Sequence, residues 1–224
     1  MCEILALKSD STFYLAEVIP YAAVMEKYGI AGFGWGVAWL AGGELKCFRS
    51  VGKIQEDVLA HISIGKEKTS ACLFHLRRPS FLGTISLENT QPFVEAGRFA
   101  FAHNGFFAGY ESVRRRLAGE LKGDSDSEVG FRFYAERLRG MPPDQAILKT
   151  VDDLTADGSA NVVTIHAGGD IHAVARNRAN QMFSFRGAGY RGIVTELHSH
   201  DHTLFRKFFT WIEEVQPVSG CTSM

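Results

Sequence analysis

A cysteine follows the initiator methionine and precedes four apolar residues at positions 4–7. Removal of Met1, which methionine aminopeptidase favours before a small residue, would give Cys2 both a thiol and a free α-amine. The α-amine has a reference pKa of about 7.7–8.0 and the thiol about 8.5, so the amine can take the thiol proton. Cys2 is therefore a candidate nucleophile that carries its own base. Taken alone, a buried strand cysteine is the commoner alternative.

Two later stretches contain groups that suit anions. FHLRRPS, residues 74–80, places Arg77 at the end of an apolar strand, where its planar guanidinium suits a carboxylate. Ser80 can add a hydroxyl to the same anion, although a solvated strand end with a turn serine would look alike. In FAFAHNGF, residues 99–106, the side-chain amide of Asn104 and the backbone N–H of Gly105 can face one point as an oxyanion hole. An ordinary Asn-Gly turn is the alternative.

An acidic stretch, GDSDSE at residues 123–128, is typical of a helix N-terminus. The helix cap alone explains the composition, but Asp126 can also pair with a substrate ammonium. A thiol, oxyanion donors, a carboxylate-binding arginine and an ammonium-binding aspartate together describe a site for an α-amino acid with a side-chain acyl group. Glutamine fits that description.

The spacing of the cysteines and of the histidines predicts neither a metal site nor a disulfide. The four cysteines form no CxxC pair and no regular spacing, which argues against a zinc site and a disulfide framework. In LHSHDH, residues 197–202, three histidines alternate and would share one face of a strand: His198, His200 and His202. No cysteine or acidic ligand motif accompanies them, so we expect loop histidines, no metal and no cofactor.

Composition excludes several classes of protein. The chain has 224 residues with a formal net charge of -1, which gives no electrostatic footprint for nucleic acid or an anionic membrane. No apolar run approaches the roughly 20 residues of a membrane helix, and the start lacks a signal peptide. We therefore expect a cytoplasmic protein with a small-molecule substrate.

The elements that must position these residues follow from periodicity and turn signals. Residues 2–8 read as a strand, residues 13–28 as a helix that Pro20 starts or kinks, and residues 33–48 as a hairpin around Gly42-Gly43. Residues 77–92 read as a long loop, and 203–215 look helical. Further strands are predicted at 70–76, 93–95, 98–103, 161–167, 171–175, 182–185 and 192–195, and further helices at 55–62, 112–121, 128–138 and 142–151. Without repeats or linkers, we expect one domain over residues 1–224, with antiparallel sheets packed face to face and helices outside.

The ordered set of motifs resembles the class II glutamine amidotransferases, which are N-terminal-nucleophile hydrolases. The matching pieces are Cys2, an H-x-R motif followed by a hydroxyl (His75, Arg77, Ser80), ENTQPF at 88–93, FAHNG at 101–105 and SDSE at 125–128. The resemblance implies an α+β fold, a four-layer αββα sandwich of two antiparallel β-sheets.

The resemblance also implies a role for each site residue. Cys2 attacks the amide, and Asn104 with Gly105 holds the oxyanion. Arg77, together with Ser80, binds the α-carboxylate, and Asp126 binds the α-ammonium. His103 precedes the oxyanion residues, where it borders the pocket and orients the loop. Trp35, between two glycines, is a candidate pocket wall, although a core aromatic is the commoner outcome.

Departures from the family pattern bear on the substrate. Large biosynthetic members begin Cys-Gly-Ile, whereas this chain has Glu3 after Cys2, which looks like the small stand-alone members. No synthase module follows, so an ammonia-accepting synthase subunit would lie on another protein. The leading hypothesis is hydrolysis of glutamine to glutamate and ammonia through a γ-glutamyl thioester on Cys2. The alternatives are hydrolysis of another γ-glutamyl amide, or a non-catalytic binding domain.

Overall fold

The computed structural model describes residues 2–29, 31–155, 158–195, 207 and 209–224, which contain twelve strands, five α-helices and two short 3₁₀ helices at Ile54–Glu56 and Leu82–Thr84. The strands are β1 (Glu3–Tyr14), β2 (Trp35–Ala41), β3 (Glu44–Ser50), β4 (Lys68–Leu76), β5 (Phe93–Glu95), β6 (Phe99–Phe106), β7 (Ser159–His166), β8 (Ile171–Ala175), β9 (Met182–Gly187), β10 (Tyr190–Thr195), β11 (Glu214–Pro217) and β12 (Gly220–Ser223). The helices are α1 (Leu15–Tyr28), α2 (Val58–Gly65), α3 (Tyr110–Leu117), α4 (Asp126–Arg137) and α5 (Pro143–Leu154).

The strands form two sheets, and every described pair is antiparallel. The first sheet has the order β11-β9-β10-β1-β4-β2-β3, with β1 near its centre. The second has the order β12-β8-β7-β6-β5. This arrangement confirms the predicted α+β fold with two antiparallel sheets.

Alternation along the strands explains how the sheets and helices stack. Ile4 and Ala6 of β1 share a buried cluster with Ala100 and Ala102 of β6 and Val163 of β7, so this cluster fills the space between the sheets. The opposite faces pack under helices. Residues of β1, β2 and β4 meet α1 and α2, and residues of β6 and β7 meet α4 and α5. The result is a four-layer order of helices, sheet, sheet and helices.

Two local predictions have clear outcomes. The hairpin of β2 and β3 turns at Gly42 and Gly43, which have φ of +62° and +85°, as a tight two-residue hairpin requires. Helix α1 begins at Leu15, so Pro20 lies inside it and does not start it. An interior proline costs a helix about 3 kcal/mol, and burial of residues such as Ile19 and Met25 against the first sheet offsets that cost.

The C-terminal part differs from the sequence prediction. Residues 214–217 form β11, and the helical interpretation of 203–215 is wrong there because Val215 pairs with Phe185 of β9. Strand β12 has no counterpart among the strands predicted from the sequence. His198, His200 and His202 lie outside the described residues. Within the described ranges, no helix is long and apolar enough to cross a membrane.

Candidate active site

Cys2 lies one residue before β1, beside the end of the neighbouring strand β4. Glu3 pairs with Leu76, the last residue of β4, so the residues that follow β4 lie beside Cys2. The backbone N–H of Arg78 donates to the Sγ atom of Cys2 at 3.3 Å. Burial raises the pKa of the Cys2 thiol, and the Arg78 N–H and the charge of Arg77 act in the opposite direction.

The carbonyl oxygen of Cys2 accepts hydrogen bonds from two side-chain amides. One donor is Nδ2 of Asn104 on β6, and the other is Nδ2 of Asn180, at 3.1 Å. Asn104 is fully buried, and its side-chain amide donates to the backbone carbonyl of Cys2. Its predicted role towards an oxyanion stays a prediction, because the contact in this structure is with Cys2 itself.

Gly105, the next residue of β6, occupies a position that no other residue can take. It has φ of +127°, and a Cβ atom there would lie 1.9 Å from the carbonyl oxygen of Ser159 on β7. The close pairing of β6 with β7 therefore requires glycine. Gly105 lines the same cavity as Cys2.

That cavity, of about 220 Å³, gathers most of the residues predicted from the sequence. It lies between the ends of β1, β4 and β6 and the N-terminus of α4. Its lining residues are Cys2, Arg77, Arg78, Pro79, Ser80, Phe81, Thr84, Asn89, Gln91, His103, Gly105, Phe106, Tyr110, Asp124, Ser125, Asp126 and Ser127.

Arg77 supplies a positive charge to the cavity. Its Nη2 donates to Oγ1 of Thr84 at 2.9 Å, whereas its buried Nη1 has no hydrogen-bond partner in the described part of the chain. Burial lowers the pKa of Arg77, but an arginine side chain keeps its charge in a protein. Ser80 lines the cavity three residues further and is exposed. A cation with an unused N–H donor is suited to an anionic ligand.

Asp126 supplies a negative charge to the same cavity. It is the first residue of α4, and its Oδ2 accepts the backbone N–H of Phe107 at 2.8 Å. Among the described residues it forms no ion pair with lysine or arginine, and the nearest basic atom is Nδ1 of His103 at 4.0 Å. Burial lowers the pKa of His103, so this ring is neutral at pH 7. The carboxylate charge is thus left for a ligand.

His103 is held on three sides. Its ring stacks on Phe107 with centroids 3.9 Å apart, and its Nδ1 lies 2.9 Å from Oγ of Ser127. The side-chain amide of Gln91 accepts its backbone N–H at 2.7 Å and donates to its carbonyl at 3.2 Å. His103 borders the cavity and is fixed by its surroundings, an arrangement that suits an orienting role.

Trp35 lies away from the cavity. Its side chain is fully buried in the core between the first sheet and the helices, and its Nε1 donates to Asp57 at 3.2 Å. It is absent from the lining of the Cys2 cavity. The pocket-wall interpretation therefore gives way to that of a core aromatic, because its position in β2 faces the helix layer.

Several polar residues of the site are not predicted from the sequence. Asn89, within the ENTQPF stretch, ties two loops together: its Oδ1 accepts the backbone N–H of Asp124 and Ser125 at 2.8 and 3.0 Å, and its Nδ2 donates to the carbonyl of Thr84 at 3.1 Å. Asn180 contacts Cys2 from the loop between β8 and β9, for which the sequence predicts no role. The asparagines of residues 176–180 were the available signal, but nothing in that stretch points to Cys2.

The described residues bring together no group of three metal-ligating side chains. The absence of a metal or cofactor stays a prediction.

Comparisons with known proteins agree on the fold. The chain has a TM-score of 0.78 and 17% identity to a structure described as the allosteric regulatory enzyme of purine biosynthesis, with 100% of this chain and 48% of the other aligned. It has a TM-score of 0.64 and 18% identity to a glutamine aminotransferase class-II domain protein of Silicibacter pomeroyi, covering 100% of this chain and 98% of the other. At these identities the likeness shows the fold alone.

Sequence comparison extends this result. An uncharacterized protein of Methanocaldococcus jannaschii is 34% identical over 110 residues, which are 47% of this chain and 30% of that protein. This chain therefore spans less than a third of the curated relative that it matches. The family model described as glutamine amidotransferases class-II matches residues 1–191. Because that match covers most of the chain, the chain belongs to the class-II glutamine amidotransferases.

Proposed function

We propose that this protein hydrolyses the side-chain amide of glutamine to glutamate and ammonia, with Cys2 as nucleophile. The observation that carries the proposal is the charge arrangement of the cavity. Arg77, with a free Nη1, and Asp126, without a lysine or arginine ion-pair partner among the described residues, border one space together with Cys2. A free α-amino acid presents one carboxylate and one ammonium, and the two side chains match those charges.

The proposed chemistry needs only the chain's own residues and water. After removal of Met1, the freed α-amine takes the proton of the Cys2 thiol. Sγ forms a bond to the amide carbon, and Asn104 with Gly105 stabilises the oxyanion. The carbon–nitrogen bond breaks, and the nitrogen leaves as ammonia with the proton from the α-amine. Water then cleaves the γ-glutamyl thioester, which releases glutamate and restores the thiol.

A second substrate class has its own support. Phe81 and Phe106 line the cavity with exposed fractions of 71% and 52%. Ammonia needs no apolar surface, whereas a larger amine leaving group would bury these rings. Hydrolysis of a γ-glutamyl amide of a larger amine is therefore the second candidate. In both cases we propose a cytoplasmic enzyme, and any ammonia acceptor would be a separate protein.

The test is an assay of glutamate and ammonia release from glutamine, with intact-mass measurement of whether Met1 is present. Cys2→Ala should abolish release, while Cys47→Ala, at a cysteine outside the cavity lining, should keep it. A glutamine-like chloroketone should label Cys2. Equal turnover by Cys2→Ala, or label on Cys47, Cys72 or Cys221 instead of Cys2, would contradict the proposal. Faster release from larger γ-glutamyl amides would favour the second candidate, and no release from either would leave the binding-domain alternative.

A further inference from the structure

Two buried asparagines in the loop that joins β8 of the second sheet to β9 of the first sheet lie close to the nucleophile candidate. Asn177 and Asn180 lie between β8 and β9 and are 3% and 1% exposed. Nδ2 of Asn180 donates to the carbonyl of Cys2 at 3.1 Å. Nδ2 of Asn177 donates to Oδ1 of Asn104 at 2.9 Å, and Asn104 in turn donates to the same Cys2 carbonyl. The loop thus contacts Cys2 directly through Asn180, and indirectly through Asn177, which bonds to Asn104.

Backbone groups fix the direction of these bonds. The backbone N–H groups of Ala179 and Asn180 point at Oδ1 of Asn177, at 3.2 and 3.3 Å. A backbone N–H can only donate, so the oxygen end of the Asn177 amide must face them. Its NH₂ end must then face Oδ1 of Asn104, and the NH₂ end of Asn104 must face Cys2. The two ends of an isolated amide are hard to tell apart, but here the chain of donors determines both.

Asn161 on β7 holds the loop itself in place. Its Oδ1 accepts the backbone N–H of Arg176 and Asn177 at 3.2 and 3.1 Å, and its Nδ2 donates to the carbonyl of Asn180 at 2.7 Å. Asn161 also pairs with Asn104 across β6 and β7. The loop is therefore anchored to the strand next to the one that carries Asn104 and Gly105.

Cys2 has a particular need for such support. It lies one residue outside β1, so its carbonyl is beyond the strand that holds the residues after it. A nucleophile must keep its direction, because a misplacement of about 1 Å costs about 100-fold in rate. The side-chain amides of Asn104 and Asn180 both donate to the Cys2 carbonyl, and these bonds hold Cys2 in place beyond the end of the strand.

We infer that Asn177 and Asn180 are positioning residues for Cys2, which fix the orientation of its backbone and of the Asn104 amide. This inference rests on the proposed function, because positioning has a consequence only for a nucleophile that reacts. Neither asparagine lines the cavity, and their side-chain amides donate to Asn104 and to the Cys2 carbonyl, which are groups of the protein itself. Their effect should therefore fall on the rate of the reaction and not on the binding of glutamine.

The first measurement separates kcat from KM. Asn180→Ala and Asn177→Ala should each lower kcat for glutamine by about 100-fold and leave KM unchanged, since Arg77 and Asp126 are untouched. The control is Thr150→Val, at a buried threonine of α5 that donates to the carbonyl of Ala146 at 2.7 Å. This control removes one buried hydrogen bond away from the site and should keep kcat. A folded Asn180→Ala variant with wild-type kcat would overturn the inference.

A second measurement covers the case in which the alanine variants fail to fold. Asn180→Leu is close in size to the wild-type residue but has no hydrogen-bond donor, so it should show the same loss of kcat. Rates of Cys2 labelling should also separate. A glutamine-like chloroketone, which must be positioned, should react more slowly, whereas iodoacetamide should react as with the wild type. Equal slowing of both reagents would overturn the positioning role. If the wild type itself releases no glutamate, the proposed function fails instead.

Discussion

The backbone N–H of Arg78 donates to Sγ of Cys2 at 3.3 Å, and this bond joins the nucleophile candidate to the strand end that carries Arg77. Because β1 and β4 are neighbours in register, the thiol and the guanidinium reach the cavity from one sheet. Gly105 lines the cavity from the other sheet, and Asn104 beside it donates to the carbonyl of Cys2. The arrangement of the site therefore depends on how the two sheets pack against each other. Its reactivity depends on the thiol of Cys2, which lines the cavity.

Cleavage of Met1 should increase the reactivity of Cys2. Burial raises the pKa of the thiol, so little thiolate exists at neutral pH and alkylation should accelerate as pH rises. Removal of Met1 places the α-ammonium on Cys2 itself, and a positive charge stabilises the thiolate and lowers its pKa. Peptide mapping of iodoacetamide-treated protein, with and without Met1, would give both pH profiles. Identical profiles for the two forms would contradict this expectation.

Local signals predicted much of the fold and of the cavity. The hairpin at Gly42 and Gly43 follows from turn chemistry, and α4 follows from its capping residues, with Oγ of Ser125 accepting the backbone N–H of Glu128 at 3.2 Å. The sequence also located Cys2 and Asp126, which the structure places around one cavity. These features depend on neighbours within a few positions along the chain.

Other features depend on contacts between distant positions. Asn180 lies 178 positions from Cys2, and no local pattern marks it as a partner. The short edge strands β11 and β12 likewise exist because they pair with β9 and β8. Trp35 shows the converse, since the glycines beside it suggested a pocket, whereas the sheet places it in the core. Such relationships arise from tertiary packing, which a single sequence does not express.

Loss of the Arg77 guanidinium should weaken substrate binding. Arg77→Gln removes the cation that lines the cavity, so KM for glutamine should rise by about 10-fold or more, as expected for a charge-assisted hydrogen bond worth about 1.5–3 kcal/mol. Arg77→Lys should restore the charge but not the planar fork. Arg115→Gln, on the exposed face of α3, is the control and should keep KM. An unchanged KM in Arg77→Gln would remove this residue from the substrate-binding role.

A side chain at position 105 should destabilise the fold as well as the site. In Gly105→Ala the new Cβ would meet the carbonyl oxygen of Ser159 at 1.9 Å, in a backbone conformation with φ of +127°. Strain of this kind costs about 1–3 kcal/mol before the clash is added. Gly119→Ala is the matched control, because nothing lies within 4 Å of its Cβ. Urea unfolding of both variants would measure the difference, and equal midpoints would show that β6 and β7 can move apart at no cost.

Acid should destabilise the protein through His75. This histidine of β4 is fully buried, with an exposed fraction of 0%. Burial lowers its pKa to about 3, below the value of about 6.5 in the unfolded chain. Between those two values the unfolded state binds more protons than the folded state. The contribution of His75 is therefore complete above about pH 6.5 and is lost as pH falls, by about 1.4 kcal/mol per pH unit.

The test of this acid effect is the slope of stability against pH. His75→Leu keeps a side chain of similar size and removes the titration, so the free energy of unfolding should fall less steeply between the two pKa values. Part of the slope should remain, because burial also lowers the pKa of His103. Phe74→Leu, at the fully buried neighbour of His75, is the control, since it should lower the stability at every pH without changing the slope. A slope in His75→Leu equal to that of the wild type would mean that this ring becomes protonated in the folded protein.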